Sequence, residues 1–238
     1  MIRKYYDLHI SIQDESVADI IKRAEKLELA GIGLTITPET LEQIDSLKNE
    51  INATGTKLDV LVGVSIRAEN PEILRKNIEK FREHADLIIV EGGDISINRA
   101  ACENPKVDIL SHPSSNRKDS GMDHVMAKLA HDNKVAIELN FKSVLHSYSK
   151  IRVHILSHMQ ENVILAKHTG ANIIVTSGAK SIWDLRAGRE LSILAIMCGI
   201  DREKAVMSVS DTPMLIADRV RNIKKDSHVM AGIKTSKK

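Results

Sequence analysis

The feature that most constrains this chain is an alternation. Short runs of β-branched and other apolar residues recur along its length, separated by stretches with the three- and four-residue spacing of amphipathic helices. Such a pattern specifies repeated βα units and a parallel sheet, because each helix carries the chain back over the sheet to the next strand. The expected strands are YYDLHISI (5–12), IGLTI (32–36), LDVLVGVSI (58–66), DLIIVE (86–91), VDIL (107–110), VAIELN (135–140), NIIVTS (172–177) and VMSVS (206–210). Eight parallel strands are the number that closes a barrel. LIIV and NIIV are apolar without alternation, as strands buried on both faces are. The expected fold is therefore α/β, a single-domain TIM-like (β/α) barrel, with a doubly wound open sheet as the alternative. At 238 residues the chain fits one such domain.

Punctuation between the strands supports this reading. Over 16–29, Val17, Ile20, Ile21, Ala24 and Leu27 define one helical face, and Ser16 is placed to cap it. Further helix starts are expected at Pro38, at Asn70 before Pro71, and at Ser181. Gly31, Gly170 and Gly199 are expected as helix stops. No apolar run reaches the roughly 20 residues that cross a bilayer, and Asp7, His9 and Asp14 interrupt the amino terminus before a signal-peptide core forms. Cys102 and Cys198 stand far apart without metal-ligand spacing. Reduced thiols and a cytoplasmic location follow as expectations.

The formal net charge is only +2, but its distribution is uneven. Residues 1–66 carry seven Lys/Arg against eleven Asp/Glu, residues 142–189 seven against two, and the last twenty residues seven against one. A basic second half can attract phosphate backbones through counterion release, although a basic terminus such as IKTSKK is more often simply a solvated, frayed end. Aromatic residues make up only 3% of the chain, which argues against a base-stacking platform, so any contact with RNA is expected mainly through backbone and shape.

In a barrel, functional groups come from the C-terminal ends of the strands. Those positions here include His9, Ser11, Thr37, Arg67, Glu91, His112, Asn140, Thr176 and Asp211. DLHIS resembles the His-x-His that opens the metal site of the polymerase-and-histidinol-phosphatase family, except that Ser11 takes the second position. His9, Glu91, His112 and Asp211 form the alternative candidate site, a metal-dependent phosphoesterase that activates water at a divalent ion. EGGD (91–94) and TSGAKS (176–181) are not P-loops, since TSGAKS lacks the leading glycine. Its amides either face a phosphate or form a tight βα turn with Ser181 capping a helix. Neither a nucleophile–histidine arrangement nor a Schiff-base lysine of the aldolase kind is defined by spacing.

GGDISINRAACENPKVDILSHP (92–113), NRKDSGMDHVMAKLAHDNKVAIELNF (116–141) and TSGAKSIWDLRAGRELSILAIMCGI (176–200) resemble the family of archaeal ribonuclease P protein component 3. YYDLHI and RKNIEKF (75–81) fall in the same order, so the resemblance spans 1–223 and leaves 224–238 as a basic, flexible tail. It implies a barrel without a catalytic metal site or cofactor of its own. Catalysis would lie with the RNA, which would hold the Mg2+. Implied partners are the ribonuclease P RNA, precursor tRNA, a small ferredoxin-like protein subunit in a heterodimer or heterotetramer, and the other ribonuclease P proteins. The implied activity is endonucleolytic removal of the 5′ leader, with this chain non-catalytic when isolated. The basic positions that the family motifs place on this chain as RNA-binding candidates are Arg99, Arg117, Lys118, Lys142, Lys180, Arg186 and Arg189, with His124 beside them. Surface ion pairs with Asp119, Asp184 and Glu190 are the alternative use of these charges.

Overall fold

In the computed structural model, which describes residues 3–11, 15–223, 228–230 and 233–234, seven parallel strands run in sequential order around one sheet. They are β1 (Tyr5–Ser11), β2 (Leu29–Ile36), β3 (Asp59–Ile66), β4 (Leu87–Glu91), β5 (Ile109–Ser111), β6 (Ala136–Asn140) and β7 (Ile173–Thr176). Between them lie α1 (Val17–Lys26), α2 (Leu41–Ala53), α3 (Pro71–Arg82), α4 (Ile95–Glu103), α5 (His124–Asn133), α6 (Phe141–Leu145) and α7 (Ser149–Thr169). After β7 come α8 (Gly188–Met197), α9 (Arg202–Met207) and α10 (Asp211–Ile223). The result is a TIM-like single domain, as the alternation of strands and helices specifies.

The eighth expected strand, 206–210, is instead the end of α9 and the turn into α10. The hydroxyls of Ser208 and Ser210 donate to the carbonyls of Ala205 and Val206, each at 2.7 Å, and this local bonding holds the segment in helical and turn geometry. The segment still closes the sheet. The Val175 amide donates to the Ser208 carbonyl at 3.1 Å and the Tyr6 amide to the Val209 carbonyl at 2.9 Å, so a turn bridges β7 to β1.

Two other expectations are corrected by local geometry. Gly31 lies within β2 rather than ending α1, and a Cβ there would stand 2.1 Å from the Tyr6 ring. The left-handed turn that leaves α1 falls on Glu28, at φ 57°. No helix begins at Ser181: residues 181–187 are bend, turn and irregular chain, and the Ser181 hydroxyl accepts the Trp183 amide. Elsewhere the signals act as expected. Ser16 caps α1, Asn70 Oδ1 caps α3 ahead of Pro71, and Gly170 (φ 79°) and Gly199 (φ 92°) follow α7 and α8. Near Pro38, α2 begins at Leu41, with Gln43 accepting the amides of Glu39 and Thr40.

Side chains inside the barrel are layered. The lower layer is apolar, built from Leu8, Leu61, Leu87, Ile89, Ile109, Ala136 and Ile174. Ile216, Ala217 and Val220 of α10 join it, so α10 plugs the end where the strands begin. Two arginines of α10 fix the plug: Arg219 reaches the Lys134 carbonyl and Asp108, and Arg221 reaches Asp59. The alternate strand residues, among them Val62, Val64, Val90, Leu110 and Ile137, pack outward against the helices in a second core. Both cysteines are buried and free, and burial pushes the thiols up, to about 12 for Cys102 and about 11 for Cys198, so neither is a ready thiolate. No helix among the described residues is long and apolar enough to cross a membrane. The side chains of the basic tail lie outside the described residues; within it, 228–230 pairs antiparallel with 233–234.

Candidate nucleic-acid interface

Above the apolar layer, the inward positions near the strand ends turn polar: Ser65 of β3, Glu91 of β4, Ser111 of β5, Glu138 of β6 and Thr176 of β7. A bulge in β1 adds to them. Asp7 pairs with Ile32 but Ile10 with Leu34, so β1 carries one extra residue, and His9 comes to the mouth of the barrel although Leu8 beside it stays in the core.

His9 and Glu138 form a buried ion pair, with Nδ1 2.7 Å from Oε1. The Thr176 hydroxyl also donates to Oε1 and the Ser111 hydroxyl to Oε2. Burial opposes charge on both partners, but each stabilises the other. Glu138 lifts the imidazole to about 9, with Glu91 and Asp7 in support, while His9, His112 and the Ser111 hydroxyl hold Glu138 down at about 2. Asp7 below them behaves oppositely. Burial raises it to about 6 against the lowering effect of the Ser177 side chain and of hydrogen bonds from the Ser177 and His9 amides, and its Oδ2 has no hydrogen-bond partner by distance and angle among the described residues.

This donor set does not suit a catalytic divalent ion. Both oxygens of Glu138 are occupied by protein donors, His9 Nδ1 is bound to that carboxylate, and Glu91 accepts from the Ser65 hydroxyl at 2.8 Å. Asp211, the fourth ligand considered from sequence, is at the other end of the barrel, 3.9 Å from Arg3 and ahead of β1. No group of three or more His, Cys, Asp or Glu arranged to hold a metal occurs among the described residues. His9, Glu138, Ser111 and Thr176, and beside them Ser65 and Glu91, are tied to one another, with the character of a structural network.

The rim over this layer is cationic. Lys142 at the start of α6 and Lys180 in the turn after β7 face the same recess of about 600 Å3, together with Arg67 after β3 and His146 after α6. Burial and then the charge of Lys180 lower the Lys142 ammonium below its ordinary range. The turn that carries Lys180 is tightly held. The amides of Ser177, Ala179 and Lys180 donate to Asp7, to the Ser177 hydroxyl and to Asp184, so they are not the free cradle considered from sequence. Asp184 also binds His146 Nε2 at 2.9 Å, and the Arg186 guanidinium lies 5.7 Å from the centre of the Phe141 ring. Lys142, Lys180 and Arg186 are thus brought to one side of the mouth.

A second cleft of about 600 Å3 adjoins the first between the loop after β5 and helix α7. The two share His112, Ser115, Asn140 and Ser143. Arg117 and Lys118 line this cleft. Arg117 forms a two-point contact with Asp119, at 2.6 and 2.8 Å. The remaining candidates lie elsewhere. Arg99 pairs with Glu103 along the outer face of α4, His124 is exposed in the first turn of α5, and Arg189 reaches the Tyr5 hydroxyl at the start of β1. Sequence reasoning does not single out His146, nor the α7 side chains on the second cleft, His154, His158 and Asn162. Their signal is weak, since polar residues on a long helix ordinarily face solvent. Arg67 is legible as a strand-end position only.

Comparison with known proteins agrees with this architecture. The sequence family described as RNase P subunit p30 matches residues 4–225. Ribonuclease P protein component 3 of Methanococcoides burtonii is 36% identical over 97% of this chain and 93% of its own length. The protein of the same name from Methanosarcina barkeri is 37% identical over 97% and 95%. In a cryo-EM structure of archaeal ribonuclease P with mature tRNA, one chain superimposes with a TM-score of 0.84 at 30% identity, covering 97% of this chain and 98% of that one. A zinc-containing histidinol phosphate phosphatase from Lactococcus lactis shares the fold alone, at TM-score 0.50 and 12% identity. From its fourth residue to beyond the end of α10, the chain belongs to the p30 family of ribonuclease P subunits.

Proposed function

We propose that the chain acts within ribonuclease P as a non-catalytic, cytoplasmic RNA-binding subunit, and that the C-terminal mouth of the barrel is its principal RNA contact. The observation that carries this reading is the Lys142–Lys180 pair. The half-buried Lys142 ammonium stands close to that of the exposed Lys180, with Asp184 and Glu91 offsetting part of the repulsion, and an anion between the two lysines relieves the rest. A phosphate is the suitable anion, with Lys142 and Lys180 as point charges and Arg67 offering a planar fork of donors. The related chain in archaeal ribonuclease P with mature tRNA supports the same reading.

In this role the chain itself moves no proton and cleaves no bond. The RNA holds the Mg2+ and removes the 5′ leader of precursor tRNA, while the barrel, with a small ferredoxin-like partner subunit and the other ribonuclease P proteins, holds RNA in its active form. Arg117, Lys118, Arg99, His124, Arg186 and Arg189 serve as weaker contacts, each tempered where a carboxylate or carbonyl already engages it.

The test is cleavage of precursor tRNA by the cognate RNA and its partner proteins, with wild-type chain or with Lys142→Ala/Lys180→Ala, across a salt series. The wild type is expected to stimulate cleavage. The double variant should bind RNA about tenfold or more weakly, with a salt slope shallower by roughly 1.4 to 1.8, at about 0.7 to 0.9 per lost phosphate contact. An unchanged slope and affinity would remove the mouth from the RNA interface.

A further inference from the structure

The cleft between the post-β5 loop and α7 has features that a phosphate-binding rim does not need. On its α7 wall Ile151, Ile155 and Met159 form an apolar strip. Asn162 on the same helix is only 3% exposed. Its Nδ2 donates to the Ser120 carbonyl at 3.1 Å, but its Oδ1 accepts from no group among the described residues. A buried acceptor in that state is costly, and a small turn of the amide toward the cleft would let an N–H donor satisfy it. His158, one helical turn before Asn162, is buried on the same wall, with the exposed His154 ring 6.4 Å away. The opposite wall is pinned. Asn98 Nδ2 donates to the carbonyls of both Pro113 and Gly121, and His112 is held at φ 50°, a conformation that costs a non-glycine residue energy. The cleft is therefore preformed, and its volume falls within the roughly 300–1,000 Å3 of small-ligand sites.

We propose that this cleft receives a single nucleobase, turned out of an RNA strand whose phosphates cross the neighbouring mouth. The inference rests on the mouth being the RNA contact. A base is flat and apolar on its faces and carries N–H donors on its edge. The aliphatic wall and the imidazoles suit the faces, and Asn162 Oδ1 suits the edge. The shared border of His112, Ser115, Asn140 and Ser143 makes the two recesses continuous, so a strand engaged at Lys142 and Lys180 has its next base at the cleft. Lys118 on the cleft wall offers a further cation for the following phosphate.

Zero-length photocrosslinking of the reconstituted ribonucleoprotein reports base contacts and is blind to phosphate contacts. The expected result is a nucleotide adduct on a peptide within 112–118 or 151–162. Ile151→Trp, at an exposed position on the cleft wall, should reduce that adduct about tenfold while leaving the barrel's melting temperature unchanged. If Lys142→Ala/Lys180→Ala weakens RNA binding but the wild type gives no adduct on these peptides, the base site is overturned and the mouth stands. If the lysine variant binds RNA as the wild type does, the mouth reading falls and takes this inference with it. Displacement of the adduct by micromolar free nucleoside 5′-monophosphate, with RNA still bound, would assign the cleft to a free nucleotide and overturn the strand-borne base.

Discussion

Glu138 shows how much a single residue can decide. It accepts from His9, Ser111 and Thr176, three elements of the barrel wall, so its charge holds together the polar layer under the mouth. Glu138→Gln leaves His9 buried without its counter-ion, a change that in comparable buried pairs costs about 3–5 kcal/mol. The expected outcome is a matching loss in urea unfolding at pH 6. The pH dependence carries a second signature. His9 is raised to about 9 in the folded chain, so its contribution is fully present below the unfolded value of 6.5 and is lost as pH rises through 9. Glu138 is lowered to about 2, so its contribution is present above 4.5 and is lost as pH falls toward 2. Asp7, raised from 3.8 to about 6, acts in the sense opposite to Glu138: its contribution is fully present below 3.8 and is lost as pH rises through about 6. The wild type should lose stability between pH 6.5 and 9, and Glu138→Gln should lose most of that slope; an equal slope in both proteins would break the assignment of the alkaline limb to this pair. His9 is legible in the sequence as a strand-end group, but its partner is not. Glu138 lies in the middle of VAIELN, and which acid meets which base across 129 residues depends on the curvature of the sheet.

At the scale of elements, the loop 112–123 shows the same dependence on distant partners. It contributes Arg117 and Lys118, and its shape is set from α4. Asn98 is fully buried, its Oδ1 accepts the Gly93 amide at 3.0 Å, and its Nδ2 spans the carbonyls of Pro113 at 2.8 Å and Gly121 at 2.7 Å. Gly121 has φ 72°, and a Cβ on it would lie 1.9 Å from the Pro113 carbonyl oxygen. Asn98→Ala strands one donor and two acceptors, and a loss of about 3 kcal/mol is expected from unsatisfied buried groups of this kind. Hydrogen exchange should quicken in 112–123 and stay unchanged in β1–β3; a uniform rise would mean that Asn98 supports the whole barrel. Seven strands and the helices α1 to α3 are legible because their apolar period and caps are local. The eighth stave is not, because VMSVS has a strand's composition while its serine hydroxyls bond back to their own helix. The turn after β7 is hidden for a related reason: Ser181 is a good cap, but Asp184 already ties the Lys180 amide and His146 into a compact turn. Lys142 and Lys180 are legible as basic residues of the family motifs, and only the closure of the barrel brings them together.

For the molecule as a whole, closure depends on the helices C-terminal to β7. Seven strands leave a seam between β7 and β1, which the Ser208 and Val209 carbonyls bridge, and an open lower end, which α10 covers. Burying Ile216 and Val220 there contributes about 1.5–3 kcal/mol each. The arginines add geometry to that burial. Asp108, 1% exposed, accepts from Arg82 at 2.6 Å, from Arg219 at 2.7 Å and from the Ile88 amide at 2.8 Å, so one carboxylate joins α3, β4 and α10. The fold should therefore end at α10. A chain cut after Ile223 is expected to melt cooperatively within about 2 °C of the full-length protein, whereas one cut after Ser210 should bind a hydrophobic dye and lose its cooperative transition, because the apolar layer of the barrel then faces water. Arg219→Ala/Arg221→Ala is the finer probe. It keeps the apolar plug but removes both polar ties, so it should lower the melting temperature by several degrees while RNA binding at the far mouth, measured below the transition, stays as in the wild type. A parallel loss of RNA affinity in that variant would show that the plug and the mouth are mechanically coupled through the barrel and would move part of the binding energy away from the rim lysines.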